Sequence, residues 1–177
     1  MTVDEMISKM TYLEMPSPAG RLYLASDGKR LTAVAFDGNW PRLKKKFGEV
    51  RKGTDPVLEK TKKQLAEYFA GRRRDFDLPL GAAGTEFQKK AWSALAKIPF
   101  GKTVSYRDQA IALKKPGASR AVGRANSLNP ISIVVPCHRV ISASGALTGY
   151  AGSLKTKEFL LNLESSREKP TRSRSGK

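Results

Sequence analysis

The only histidine of the chain directly follows its only cysteine: Cys137 and His138 are neighbours in the segment Ile-Ser-Ile-Val-Val-Pro-Cys-His-Arg-Val-Ile of residues 131–141. The thiolate is the nucleophilic form of cysteine, and an imidazole within hydrogen-bond reach, directly or through one water, supplies it near neutral pH. Residue type alone leaves two readings of Cys137 open, a small buried filler among apolar neighbours or an activated nucleophile. A base needs an orienting group. In residues 155–166, helical spacing places Phe159, Leu160 and Leu163 on an apolar face and Glu164 one turn beyond Leu160 on the same side. Glu164 is therefore expected to turn inward and fix the imidazole, completing a Cys/His/Glu relay. By itself such a relay reads as a thiol hydrolase. One cysteine excludes an internal disulfide, and one Cys with one His falls short of the three or four ligands of a zinc site, so neither a metal nor a cofactor is expected.

Charge points elsewhere than to peptide cleavage. The formal net charge is +17, with 17 Lys/Arg against 5 Asp/Glu in residues 81–177 and 16 against 11 in residues 1–80. The half that holds Cys137 is thus the half that faces a polyanion. Such an excess costs self-repulsion and suits a phosphate backbone whose counterions are released on binding; the competing reading is a solubility device. The start of the chain lacks the apolar stretch of a signal peptide, and no run approaches the roughly 18 apolar residues of a membrane span. A soluble, cytoplasmic protein in a reducing compartment, with no membrane partner, is expected.

The elements that must position these groups follow from periodicity and turn chemistry. Residues 1–19 read as an unstructured start, and residues 20–38 as a hairpin turning at Asp27-Gly28-Lys29. Residues Val57–Gly71 read as an amphipathic helix with Leu58, Leu65, Tyr68 and Phe69 apolar and a glycine stop. This first unit, residues 1–80, carries no evident chemistry and is expected to be structural. In the second unit, residues 81–165, Thr85 and Gln88 form a capping box, with Phe87, Ala91, Leu95 and Ile98 along one face of the helix that follows. A second helix starts near Ser105 and a third covers residues 118–128, a helix-turn-helix pattern. On the third, Ala118, Ala121, Val122 and Ala125 cluster on one side, and Arg120, Arg124 and Ser127 on the other. Gly123, costly by about 1 kcal/mol in mid-helix, implies that a backbone or ligand passes close. Small-residue packing with solvated arginines and a groove-reading helix both fit this segment. Residues 131–135 read as a buried strand ending at Pro136, so His138 can serve Cys137 only if the chain turns there. Residues 166–177, with five basic residues and one acidic, read as a disordered tail.

Together, Pro-Cys-His-Arg-Val at 136–140, Asn129-Pro130 upstream, residues 144–152 (Ser-Gly-Ala-Leu-Thr-Gly-Tyr-Ala-Gly) and residues 157–164 (Lys-Glu-Phe-Leu-Leu-Asn-Leu-Glu) resemble the O6-alkylguanine-DNA alkyltransferase family, over about residues 85–164. The resemblance implies an α+β protein with an N-terminal ribonuclease-H-like α/β domain and a C-terminal winged-helix-like, helix-turn-helix domain. It implies irreversible, single-turnover transfer of an alkyl group from O6 of guanine, or O4 of thymine, in double-stranded DNA to Cys137. His138 would act as base through a water, Glu164 would orient it, Asn129 would hold the turn and Tyr106 would protonate the departing guanine. Arg120 would fill the stack left by a flipped base, with Arg124, Ser127 and Gly123 along the DNA. Tyr150, Val140, Ser142 and Pro136 would line the pocket. A monomer that could bind DNA cooperatively is implied too; the alternative is a lesion-binding relative without transfer activity. Ser132, where some members have proline, and Leu147-Thr148-Gly149-Tyr150, where some have shorter side chains, leave the range of alkyl groups open.

Overall fold

The computed structural model describes residues 10–168. Its first part is a four-stranded sheet in the order β3-β2-β1-β4, built from β1 (Met10–Met15), β2 (Leu22–Ser26), β3 (Leu31–Phe36) and β4 (Val50–Lys52). β1 and β4 run parallel, and the other neighbours run antiparallel. The hairpin expected between residues 20 and 38 is β2–β3, with Gly28 at φ +91° in the turn, a conformation that glycine adopts without steric cost. β1 corrects the expectation of an unstructured start. Its residues alternate too weakly to announce a strand, yet β2 and β4 hydrogen-bond it on both sides; residues 1–9 lie outside the described residues.

The two faces of this sheet are covered differently. On one, Ala25, Ala33 and Ala35 leave room for Trp40 and Leu43 of α1 (Trp40–Phe47), and the Trp40 ring stacks on Tyr23 at 5.2 Å. On the other, Leu22, Leu24, Leu31 and Val34 meet α2 (Pro56–Phe69) through Leu58, Leu65 and Tyr68. Fully buried aliphatic side chains of this kind contribute about 1.5–3 kcal/mol each. The Asp55 carboxylate caps α2 by accepting from the Leu58 N–H, and Gly71 at φ +82° ends it near the expected stop.

The second part contains α3 (Glu86–Ala96), α4 (Tyr106–Ala112) and α5 (Ser119–Ser127), then a short 3-10 turn (Cys137–Arg139) and α6 (Leu154–Glu168). β5 (Val104–Ser105) and β6 (Val140–Ile141) form a small parallel pair between them. The Thr85/Gln88 capping box is present, and a second box, Ser105 with Asp108, starts α4. On α3 the buried positions are Ala91, Trp92 and Leu95, while Phe87 is half-buried under the Lys115 ammonium. On α5 the packed residues are Val122, Ala125 and Asn126, and Ala121 is exposed, contrary to the wheel. Asn126 turns inward because it exchanges two hydrogen bonds with the Gln109 amide of α4, at 2.8 and 3.0 Å.

Residues 131–135 are not a strand. Only Ile131 bridges to Val34 of β3; the Val135 N–H then donates back to the Ile131 carbonyl and closes a turn, with Ile133 at φ +71°. That value is unusual for a β-branched residue. The bridge seals the edge of β3 and, with the linker bonds Leu31 N–H to Pro79 O and Gly81 N–H to Leu31 O, ties the two parts by main chain. One apolar core runs through both, from Leu22, Leu58 and Tyr68 to Leu95, Val135, Cys137 and Leu160. α6 extends to Glu168 and so takes in the first three residues of the expected tail, and residues 169–177 lie outside the described residues. No helix of the described residues is long and apolar enough to cross a membrane.

Candidate active site and nucleic-acid face

The turn after Pro136 buries Cys137 in the apolar core shared by the two parts, with its N–H donating to the Val135 carbonyl. Asn129 makes that turn. Its amide nitrogen donates to the Val135 carbonyl at 2.8 Å and its oxygen accepts from the Ile131 N–H at 3.0 Å, so one side chain spans the loop leading to the cysteine. The 3-10 conformation that follows removes the strand alternation which would have sent Cys137 and His138 to opposite faces.

His138 and Glu164 meet in the interior, Nε2 to Oε2 at 2.8 Å, with both side chains essentially inaccessible. Glu164 also accepts from Arg139, Nε to Oε1 at 2.7 Å and Nη2 to Oε2 at 3.1 Å, and from the Tyr68 hydroxyl at 2.6 Å. Burial pushes the Glu164 carboxyl up, but the bonds from His138 and Arg139 outweigh it and hold the group down to about 2. An ionised carboxylate only accepts, so His138 Nε2 carries the hydrogen of that bond. Nδ1 is then the lone-pair nitrogen, and it is buried without a protein partner. Burial lowers the tendency of His138 to protonate, against the pull of Glu164, and leaves a neutral ring suited to accept a proton.

Burial raises the Cys137 thiol above its ordinary value, and the Asn129 side chain and the Lys157 ammonium oppose that rise. Lys157 is fully buried on α6, about one turn before Leu160 and two before Glu164 on the same face. Its Nζ donates to the Val140 carbonyl at 2.6 Å and the Thr148 carbonyl at 2.9 Å and lies 5.8 Å from the Tyr106 ring centroid. Burial lowers its affinity for a proton while the nearby thiol raises it. A cation here favours thiolate and fastens the loop of residues 146–152 over the turn.

The residues expected along a pocket fall in different places. Pro136 and Val140 are buried on either side of the 3-10 turn. The Tyr150 ring lies 6.5 Å from the His138 ring and 5.7 Å from Phe36 of β3, and burial raises its hydroxyl well above the ordinary value. Ser142 instead bonds within its own turn, to the Ser144 hydroxyl at 2.8 Å. Tyr106 opens α4, and its hydroxyl accepts from Thr148 at 3.0 Å. Beside it is a groove of about 380 Å³ lined by Tyr106, Arg120, Gly123, Ser127, Thr148 and Gly149. The structure therefore gathers Arg120, Gly123 and Ser127 with Tyr106. Arg124, exposed one turn on, lies outside the groove lining.

Three residues of this arrangement went unassigned in the sequence. Lys157 had a legible signal, because Lys157, Leu160 and Glu164 share the i, i+3, i+7 spacing of one helix face. Arg139, a charge inside an apolar run, had a weaker one. Tyr68 sits at an ordinary apolar helical position, and nothing local announces an acceptor 96 residues away.

Comparison with known proteins places these features. Residues 10–82 match the ribonuclease-like domain of 6-O-methylguanine DNA methyltransferase, and residues 86–166 match its DNA-binding domain. A constitutive methylated-DNA–protein-cysteine methyltransferase of Bacillus subtilis is 46% identical over 86% of this chain and 94% of its own. A methylated-DNA–protein-cysteine methyltransferase of Methanosarcina acetivorans is 48% identical over 89% and 99%. The Mycobacterium tuberculosis OGT, solved in complex with DNA, superposes with a TM-score of 0.81 at 44% identity, over 89% of this chain and 94% of that one. With both domain models matched in order and relatives of this similarity spanning most of its length, the chain belongs to the 6-O-methylguanine DNA methyltransferase family.

Proposed function

We propose that this protein repairs double-stranded DNA by moving an alkyl group from O6 of guanine to Cys137, once per molecule. The observation that carries the reading is the buried His138–Glu164 pair directly after Cys137, with a neutral imidazole whose Nδ1 lone pair is available. In the step proposed, the Cys137 proton passes through a water to His138 Nδ1, and the sulfur attacks the alkyl carbon in line with its bond to O6. The C–O bond breaks, its electrons stay with the purine, and Tyr106 supplies the proton that restores guanine, to be made good by the proton held at His138. Atoms balance without a cofactor. The product is a thioether, which has no ready leaving group, so the sulfur stays alkylated.

O6 of guanine lies inside the duplex, so the base must leave the stack at a cost of a few kcal/mol. Arg120, exposed on α5 and lining the Tyr106 groove, would enter the gap. Arg124 and Ser127, on the same helix, would hold the phosphates, which position but carry no lesion information. Pro136, Val140 and Tyr150 would pack around the flipped base, with Ser142 at the edge. The test is the intact mass of the protein after incubation with duplex bearing O6-methylguanine. One added methylene per protein, on Cys137, is expected; repeated turnover, or modification elsewhere, overturns the reading.

A further inference from the structure

The first part of the chain has neither cysteine nor histidine, yet it sends one polar group into the relay. Tyr68, in the last turn of α2, is fully buried, and its hydroxyl donates to Glu164 Oε2 at 2.6 Å, across a sequence separation of 96 residues. Its ring is fixed edge-on against Phe69 and Phe100 and tilted against Phe76. Arg167 of α6 donates to the Tyr68 and Phe69 carbonyls at 2.8 and 2.9 Å, so the end of α2 is pinned to the helix that carries Glu164.

A buried tyrosine hydroxyl needs an acceptor, and any carbonyl would serve. This one takes the oxygen that His138 also uses. Oε2 accepts from Tyr68, from His138 and from Arg139 Nη2, whereas Oε1 accepts from Arg139 Nε. Three donors on one oxygen divide its charge, so each receives less than it would alone. We propose that Tyr68 is a positioning residue of the alkyl-transfer relay, whose hydroxyl sets how strongly Glu164 draws on His138 and thereby links the N-terminal domain to the reactivity of Cys137. The assignment rests on the function proposed above for the role of the relay, and on the four hydrogen bonds for the coupling.

The direction follows from hydrogen-bond competition. Removing the Tyr68 hydroxyl returns charge on Oε2 to His138 and favours the imidazolium. The ionisable groups that face this pair are Arg139 on the same turn, Lys157 on α6, Cys137, and Tyr150 from the overlying loop, with Arg167 acting on Tyr68 from behind. All of them remain when Tyr68 becomes phenylalanine, which also keeps the ring contacts. A stronger donor at the same place must act in the opposite sense.

The experiment uses the fact that His138 is the only histidine. In the untagged full-length protein its imidazole gives one set of resonances, whose titration reads the relay whether or not alkyl transfer occurs. With Tyr68→Phe, the midpoint is expected to rise by about half a unit, roughly a threefold change in proton affinity. Site-specific 3-fluorotyrosine at position 68, nearly isosteric and a stronger donor, is expected to lower it and keeps the test open if the phenylalanine variant folds poorly. The acid limb of alkyl transfer from free O6-benzylguanine, each rate taken relative to its own plateau, is expected to move with the midpoint. Midpoints unchanged in both variants, or shifted in the same direction, overturn the role of Tyr68 and leave a purely structural tyrosine. Absence of transfer by the wild-type protein overturns the proposed function instead, while the titration still decides whether Tyr68 tunes His138.

Discussion

Glu164 accepts four hydrogen bonds in the buried interior, while Arg120 and Arg124 stand exposed on α5, a helix whose inner side is held by Val122, Ala125 and the Asn126–Gln109 pair. The two regions serve one proposed reaction and obey different physics. In the interior, removing a partner leaves a buried charge without its counterpart. On the outer face, water and salt replace whatever is removed, so a substitution there should change encounter with DNA and leave folding nearly alone. Interior changes should therefore show first in stability and face changes first in duplex repair.

The largest expected effect is Arg139→Met. It strips two of the four bonds from Glu164 and leaves the Ile98 carbonyl without the Nη1 donor that now reaches it at 2.6 Å. Breaking a buried pair by removing one member costs about 3–5 kcal/mol. Urea unfolding should show that loss, and Lys60→Met, which opens the exposed 3.4 Å pair with Asp77, should show next to none. Equal losses would erase the distinction between the regions.

Acid should expose the same interior in two steps. His138 is held below its ordinary value, so the unfolded chain binds its proton more readily, and stability should start to fall as pH drops below about 6.5. Glu164 is held at about 2 against an ordinary 4.5. Its stabilisation is complete above that ordinary value and is lost as pH falls toward 2, about 3 kcal/mol in all at 1.36 kcal/mol per unit. Urea midpoints measured from pH 8 to pH 3 check both steps; a flat profile between pH 7 and pH 4 would mean that the relay does not differ from the surface in its titration.

These two regions also differ in how far they could be read from sequence. The α5 face follows from spacing alone, because an exposed helix side has no partners to find; Ala121 was misplaced since the wheel cannot tell a small exposed residue from a small packed one. Glu164 was legible because an acidic residue on an apolar helix face is costly unless paired. The five residues before Pro136, all apolar but Ser132, read as a strand because periodicity cannot see that Asn129 grips both Ile131 and Val135 and folds them into a turn. β1 was missed for a related reason. Its place is made by β2 and β4, not by its own alternation. Tyr68 was least legible of all, since its ring satisfies the helix pattern and its hydroxyl answers to another domain.

On the outer face, Arg120→Ala should slow repair of duplex DNA by about tenfold to a hundredfold, because the gap left by a flipped base then has nothing to fill it. Transfer from free O6-benzylguanine, which needs no flipping, should be unchanged, and so should the urea midpoint. Equal slowing on both substrates would move Arg120 from the DNA face into the support of the site and would sharpen the comparison by showing that the Tyr106 groove is continuous with the relay.

The smallest effect separates fold from function at a single atom. A Cβ built on Gly123 would meet the Tyr106 ring at 3.6 Å, ordinary van der Waals contact, and the backbone there is plain helix. Gly123→Ala should therefore raise stability by about 1 kcal/mol through helix propensity alone, a few degrees in Tm. If DNA comes as close to α5 as the groove beside Arg120 implies, the same methyl group should slow duplex repair by roughly threefold while the free base reacts as before. A more stable protein with unaltered duplex repair would show that DNA keeps more than a methyl's distance from residue 123, and that the glycine serves neither the fold nor the face. A less stable one would mean that Tyr106 cannot accept even this contact, making the floor of the groove as tightly fitted as the relay beneath it.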